Sequence, residues 1–304
     1  MATDPHWPTA LDWLEGDEPK PDLVLIGVPT SAGSISPSDA WETPEAVRRV
    51  LDRFSSYDVE ANVDLSVLAA ADRGDWLVSH LGVEQAVDHL AKATGGLPTT
   101  PVHLLVGGDN LITYPIAANL PHAPLERTGV VTFDAHHDVR ELEGTRLSNG
   151  SPIRLLIEDG LPGEQVVQIG IHSFANSRYY RGWCEDHDIR VADMPMIDEH
   201  GLDFVVTEAL SYLDGLVDVI HVDFDIDVLD RAYAPACPGA RPGGLTPRQL
   251  ASAARRCGAH PKVMTADFVE VDATRDVADT TVMSLVNTML AFASGVATRS
   301  GERE

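Results

Sequence analysis

Six apolar stretches, each about as long as a strand and rich in β-branched residues, recur along the chain: LVLIGVP at 23–29, VHLLVGG at 102–108, GVVTFDA at 129–135, VVQIGI at 166–171, VDVIHVDFD at 217–225 and VMTADFVEV at 263–271. Their hydrophobic positions are consecutive rather than alternate, which predicts strands covered on both faces. Between them lie helical patterns with start and stop signals. PEAVRRVLDRF opens with Pro44 after Thr43, and VEQAVDHLAKA runs to the pair Gly95 and Gly96. TPRQLASAARRCG has Thr246 as N-cap, Pro247 at the first helical position and Gly258 as the expected stop. Strands alternating with helices predict an α/β fold, a parallel sheet with helices on both faces and ligands bound outside the carboxyl ends of the strands. The longest apolar segment, TVMSLVNTMLAFASGVA at 281–297, is interrupted by Ser, Asn and Thr, so a packed terminal helix is expected rather than a membrane span.

The chain has 304 residues and no internal repeat or low-complexity block. The small-residue segment PTSAGSISPSD at 29–39 is too short for a linker and reads as a surface or active-site loop. One domain over 1–304 is therefore expected. The balance of 47 Asp+Glu against 22 Lys+Arg gives a formal net charge of −25, with lysine only at 20, 92 and 262. Such a surface repels phosphate backbones and anionic lipid, so the expected partner is a small molecule, not nucleic acid or membrane. Cys184, Cys237 and Cys257 lie far apart without CxxC spacing, which indicates neither a disulfide framework nor a zinc–thiolate site. The opening MATDPHWPT has no basic or apolar signal region, and a cytoplasmic protein is expected.

The candidate chemistry lies where two of these apolar runs end. In FDAHHDVR, residues 133–140, Asp134, His136 and Asp138 share one face if the backbone stays extended, and His137 points the other way as a packing or supporting residue. In HVDFDIDVLD, residues 221–230, Asp223, Asp225 and Asp227 share a face by the same rule. Carboxylates so crowded in a dry crevice require a cation or must take up protons. A carboxylate-rich set with one imidazole and no thiolate suits Mn(II), with Fe(II), Ni(II) or Zn(II) next. Four or more carboxylates exceed what one divalent ion needs, which points to two ions and to hydrolysis by an activated water.

With these motifs in place the sequence resembles the ureohydrolase superfamily of arginases, agmatinases and formimidoylglutamases. The resemblance runs in order through GVPTSAG, VGGDN, FDAHHDVR, SNGSP, DFDIDVLD, APACPGARPGG and FVEVD. It implies a three-layer α/β/α sandwich around a mostly parallel sheet of about eight strands, two Mn(II) ions and, by analogy, a trimer or hexamer. It makes Asp134, His136, Asp138, Asp225 and Asp227 metal ligands, and it aligns Asp230 with the last position of the family's DxDxxD. Glu270 is set against the substrate's amidinium or guanidinium. Asp223 stands where relatives usually have serine. Two residues depart from the pattern: Asn110 replaces a ligand histidine and is expected to offer a neutral amide oxygen, and Asn149 replaces a proton-transferring histidine and can only orient a substrate.

Arg140 extends the first motif to DAHxDxR, which resembles formimidoylglutamases rather than agmatinases or arginases. An arginine there favours a substrate that carries a carboxylate, unless it is consumed by a salt bridge to Glu141 or Glu143. Asn176, Ser177 and Arg178 of GIHSFANSRYY are further candidates for the substrate's glutamate part. The resemblance thus implies hydrolysis of N-formimidoyl-L-glutamate to L-glutamate and formamide, a step of histidine degradation, with Glu270 holding the amidinium and Asp138 relaying a proton. The alternatives are a guanidino substrate such as agmatine or guanidinobutyrate, with release of urea, and a metal-poor protein of the same fold without activity.

Overall fold

The computed structural model describes residues 4–299 apart from positions 5, 17, 142, 143, 145 and 146. All six predicted strands are present, and two more join them. In chain order they are β1 (Leu23–Val28), β2 (Ala70–Asp75), β3 (Val102–Gly107), β4 (Thr128–Phe133), β5 (Val166–Ile171), β6 (Arg190–Asp193), β7 (Val219–Asp225) and β8 (Val263–Val269). They form one eight-stranded sheet in the order β2-β1-β3-β8-β7-β4-β5-β6. Every pairing within it is parallel. The two strands absent from the sequence reading, β2 and β6, are the edges of the sheet. Each is partly exposed and carries charge, as in ADRGD and RVAD, so neither shows the apolar run of a strand buried on both faces.

Helices cover both faces. On one side Leu104, Val106, Val131, Val222 and Phe224 pack with residues of α1 (Thr43–Val50), α5 (Leu202–Asp214), α6 (Pro247–Ala259) and α7 (Thr280–Thr298). On the other, Leu105 and Val130 face residues of α2 (Val83–Gly95), α3 (Pro152–Glu158) and α4 (Arg178–Asp186). The three-layer α/β/α arrangement follows. By length and apolarity α7 alone among the described helices could cross a membrane, yet it is mostly buried inside the fold and lies against α6. Gly258 does not stop α6, which continues to Ala259. A Cβ at Gly258 would sit 2.0 Å from the backbone oxygen of Phe292 in α7, so the glycine serves close helix approach instead.

One packing feature fixes the strand ends that matter for chemistry. Phe133 of β4, Phe224 of β7 and Phe268 of β8 are in register on neighbouring strands. Their rings stack at 5.0 and 5.1 Å, and Phe292 of α7 meets Phe224 edge-on at 6.2 Å. The next residues along those strands are Asp134, Asp225 and, two further on, Glu270. Phe224→Leu is expected to lower unfolding stability by about 1–2 kcal/mol, because a shape change at the centre of a close-packed stack cannot be absorbed by its neighbours. A urea midpoint equal to that of the unmodified protein would show that the stack is not a constraint on the strand ends.

Candidate metal centre and active site

The polar residues gather at the carboxyl ends of the four central strands β3, β8, β7 and β4. Asn110 follows β3, Asp134, His136 and Asp138 follow β4, Asp225 ends β7 with Asp227 in the turn after it, and Glu270 follows β8. Extended alternation is not what aligns them, contrary to the sequence reading. β4 ends at Phe133, and Asp138 sits in the left-handed region at φ 51°. Residues 226–228 form a 3₁₀ turn that Asp225 caps, its Oδ1 accepting from the Asp227 N–H at 2.8 Å. Asp227 Oδ1 in turn accepts from the Ala135 N–H at 2.9 Å, which ties the two acidic loops together. Glu270 also has left-handed φ, 69°. Such conformations in non-glycine residues are sparsely populated and persist where the surroundings over-determine them.

The electrostatics fit a divalent cation. Asp134, Asp138, Asp225 and Asp227 are all buried, and among the described residues no lysine or arginine pairs with any of them. The one positive partner is His136, whose Nδ1 lies 2.7 Å from Asp227 and 3.5 Å from Asp134. Burial pushes Asp134 up to about 7, with Asp227 adding to the rise. Asp138 and Asp225 are held well above the ordinary carboxylate value by burial and then by their acidic neighbours Asp134 and Asp227. Burial lowers His136, but Asp227 and Asp134 override it and carry the imidazole to about 11; the same contact overrides burial at Asp227 and takes it down to about 2. Carboxylates that must hold protons in the absence of a cation are what a divalent metal would discharge. Ligand atoms of Asp134, His136 and Asp227 lie within 4.8 Å of one another, as do those of Asp225, Asp227 and Cys237, so Asp227 belongs to both groups.

Around this centre a small polar cavity includes Asp138, Arg140, Asn149, Asp225, Arg241 and Glu270 in its lining. Glu270 Oε1 accepts from the Asn110 N–H and from Asn149 Nδ2, both at 2.8 Å, and Oε2 has no hydrogen-bond partner among the described residues. Burial and then Asp109 push Glu270 up to about 8 against these bonds. Asn149 also accepts from the Ile35 N–H at 3.0 Å, and its own N–H donates to Gly33 at 2.8 Å, so the 29–39 loop is fastened over the cavity as expected of an active-site loop. Arg140 is half-buried and its backbone N–H donates to the Gly150 carbonyl at 2.7 Å. Its side chain lies so close to Gly150 that a Cβ there would be 2.8 Å from Arg140 Cδ. Among the described residues its guanidinium has no acidic partner. Glu141 pairs with Arg154 at 3.5 Å instead, and Glu143 lies outside the described residues.

A model of the Arginase family matches residues 21–294. The chain belongs to the arginase family. The formimidoylglutamase of Halalkalibacterium halodurans is 37% identical over 284 residues, which cover 91% of this chain and 88% of that protein. Among solved structures, the formimidoylglutamase from Bacillus subtilis superposes with a TM-score of 0.90 at 31% identity, covering 98% of this chain and 94% of its own. A Trypanosoma cruzi formiminoglutamase with Mn2+2 gives a TM-score of 0.86 at 24% identity, over 96% and 99% of the two chains, a likeness of fold.

Within the arginase-family fold several residues play other parts than the sequence suggested. The expected amide-oxygen ligand Asn110 is turned the opposite way: its Oδ1 accepts from Thr113 at 2.8 Å, and its Nδ2 donates to Asp138 at 2.7 Å and Asp134 at 3.3 Å. An amide facing two carboxylates presents its donors. Asn176 braces the 134–138 loop, accepting from the His137 N–H and donating to the Ala135 carbonyl, both at 2.9 Å. Ser177 is the N-cap of α4, and neither it nor the exposed Arg178 lines the cavity. His137 is buried against Gln168 at 2.7 Å, in the supporting role expected. Asp223, which shared a face with Asp225 and Asp227 in the sequence reading, pairs across β7 and β8 with Asp267 and does not line the cavity. Asp230 holds the following loop, accepting from the Gly243 N–H at 2.7 Å and the Ala232 N–H at 2.8 Å.

Two residues near the site lie in the APACPGARPGG motif and were given no role in the sequence reading. Cys237 is brought to Asp225 and Asp227 only by the fold, and burial and then Asp227 push its thiol well up, so it is a buried thiol rather than a thiolate. Arg241 lies in the proline- and glycine-rich part of that motif, which points to a turn and not to a side-chain role.

Proposed function

We propose that this arginase-family chain is one catalytic domain that hydrolyses N-formimidoyl-L-glutamate to L-glutamate and formamide, as part of histidine degradation. The observation that carries the reading is the pairing, in one cavity, of a buried carboxylate left with an open oxygen, Glu270, and a half-buried guanidinium with no acidic partner among the described residues, Arg140. A substrate with an amidinium at one end and carboxylate at the other satisfies both. A purely cationic one such as agmatine leaves Arg140 opposed to like charge. Asp134, His136, Asp138, Asp225 and Asp227 would hold two divalent ions, with Mn(II) the best match to a set of hard oxygens and one imidazole. Bound there, the ions supply a nucleophilic water at neutral pH and stabilise developing charge.

This chain's own residues do the rest. Glu270 accepts the amidinium N–H groups through Oε2 while Asn110 and Asn149 keep Oε1 fixed. Water adds to the amidine carbon, the bond between that carbon and the glutamate nitrogen breaks, and Asp138 passes the proton of the attacking water to the departing nitrogen. Asn110 Nδ2, at 2.7 Å, steadies the Asp138 carboxylate for that transfer. Arg140 pairs with the carboxylate nearest the scissile bond. The three free, buried cysteines suit a reducing compartment such as the cytoplasm.

The test is proton NMR of Mn(II)-loaded protein with N-formimidoyl-L-glutamate, where the formyl proton of formamide is expected at a catalytic rate. Urea released from a guanidino acid, with no formamide from the amidine, would overturn the assignment in favour of the guanidine reading. Arg140→Ala is expected to raise KM by about 10- to 100-fold, the worth of a charge-assisted hydrogen bond. An unchanged KM would remove Arg140 from the substrate site.

A further inference from the structure

Arg241 is a second guanidinium on the same cavity. It belongs to the CPGARPGG turn after β7, a different segment from that of Arg140. The turn is well held. The Arg231 N–H donates to the Arg241 carbonyl at 3.0 Å, Arg231 Nη1 donates to Ala240 at 3.1 Å, and Asp230 secures Gly243 at 2.7 Å. Arg241 Nη1 donates to the carbonyls of Gly239 at 2.7 Å and Ala240 at 3.2 Å, which fixes the guanidinium plane, and its other N–H groups have no partner among the described residues. No acidic side chain pairs with it among the described residues, in a chain where Arg48, Arg127, Arg255 and Arg256 all take aspartates. Asp230, the acid most nearly at hand in sequence, is already occupied by backbone N–H groups.

Depth separates the two arginines. Glu270 and the acidic cluster are buried at the base of the cavity, Arg140 is half-buried, and Arg241 is exposed at the mouth. In a formimidoylated amino diacid, one carboxylate lies a single carbon from the scissile nitrogen and the other lies further out on the side chain. Resting on the function proposed above, we infer that Arg241 binds the distal carboxylate and is a specificity residue for acidic over neutral side chains. Arg140 reads the inner carboxylate common to all α-amino acids, and Arg241 reads the one that distinguishes glutamate. A guanidinium pre-oriented by carbonyls loses little freedom on pairing with a carboxylate in two-pronged fashion.

The experiment compares N-formimidoyl-L-glutamate with its neutral isostere N-formimidoyl-L-glutamine, using Mn(II)-loaded wild type, Arg241→Gln and Arg140→Ala. Wild type is expected to prefer glutamate in kcat/KM by about 10- to 100-fold, the value of one charge-assisted hydrogen bond. Arg241→Gln is expected to bring that ratio near one, through a higher KM for glutamate with kcat little changed, because a distal contact is made equally in ground and transition states. Arg140→Ala is expected to weaken both substrates and leave the ratio in place. An Arg241→Gln protein that keeps the wild-type preference, or loses both substrates in equal proportion, would overturn this inference alone. A wild type that releases no formamide from either compound would overturn the function itself and the inference with it.

Discussion

Asp225→Asn is expected to reduce turnover by on the order of 1,000-fold or more and to abolish tight Mn(II) binding, while the metal-free protein stays at least as stable as wild type. The two halves of the result have separate causes. Asp225 is 3% exposed, and its Oδ1 caps the 226–228 turn through the Asp227 N–H at 2.8 Å. Asparagine keeps that oxygen and therefore the turn, but removes the charge and replaces the second ligand oxygen with a donor. Burial and then Asp227 already hold the Asp225 carboxyl well above its ordinary value, so losing the acid relieves the fold rather than straining it. Metal content after dialysis, formamide release and the melting temperature would be read together. A variant that keeps both metal and full turnover would refute the ligand assignment, and one that does not fold would show that Asp225 is structural first.

Metal removal is expected to produce a protein whose stability falls steadily from about pH 5 to about pH 9, and Mn(II) is expected to restore it most at the alkaline end. The sign follows from each group. Asp134 is raised from 3.8 to about 7 and Glu270 from 4.5 to about 8, so each costs nothing below its unfolded value and destabilises increasingly as pH climbs through the folded one. His136 is raised from 6.5 to about 11, so its contribution is complete below 6.5 and is lost as pH rises towards 11. Asp227 is lowered to about 2, so its contribution fails only in acid, outside this window. Metal needs the deprotonated ligands, so its stabilisation grows over the same range. At a metal concentration 1,000 times Kd it amounts to about 4 kcal/mol, or roughly 8 °C in Tm. Differential scanning fluorimetry at pH 6 and 8.5, with and without Mn(II), measures this. A metal-induced rise that is larger at pH 6 would contradict the buried-acid description.

Legibility in the sequence tracked burial. The central strands were readable because they are apolar on both faces. The edge strands β2 and β6 were not, because half of each faces water and reads as loop. DAHHD and DIDVLD stood out as cation-seeking because so many carboxylates after buried strands have no other use. Their geometry did not follow from alternation, since the chain leaves the strand at Asp134 and turns at Ile226. The side chains of Asn110, Asn149 and Asn176 were legible as polar residues near the site and illegible as to direction. An amide has a donor and an acceptor end, and only its neighbours decide which end faces the acids.

By itself the sequence determined the class of fold, the parallel sheet and the chemistry the acids demand, because hydrophobic period and charge density are local properties that no tertiary arrangement alters. What only the tertiary structure decided is who meets whom. β7 and β8, late in the chain, fill the gap left between β3 and β4, so Asn110, Asp134, Asp225 and Glu270 arrive at four neighbouring strand ends from far apart in sequence. The same insertion carries the loop after β7 to the cavity, and that is why Arg241, a hundred positions further along the chain, lines the same cavity as Arg140.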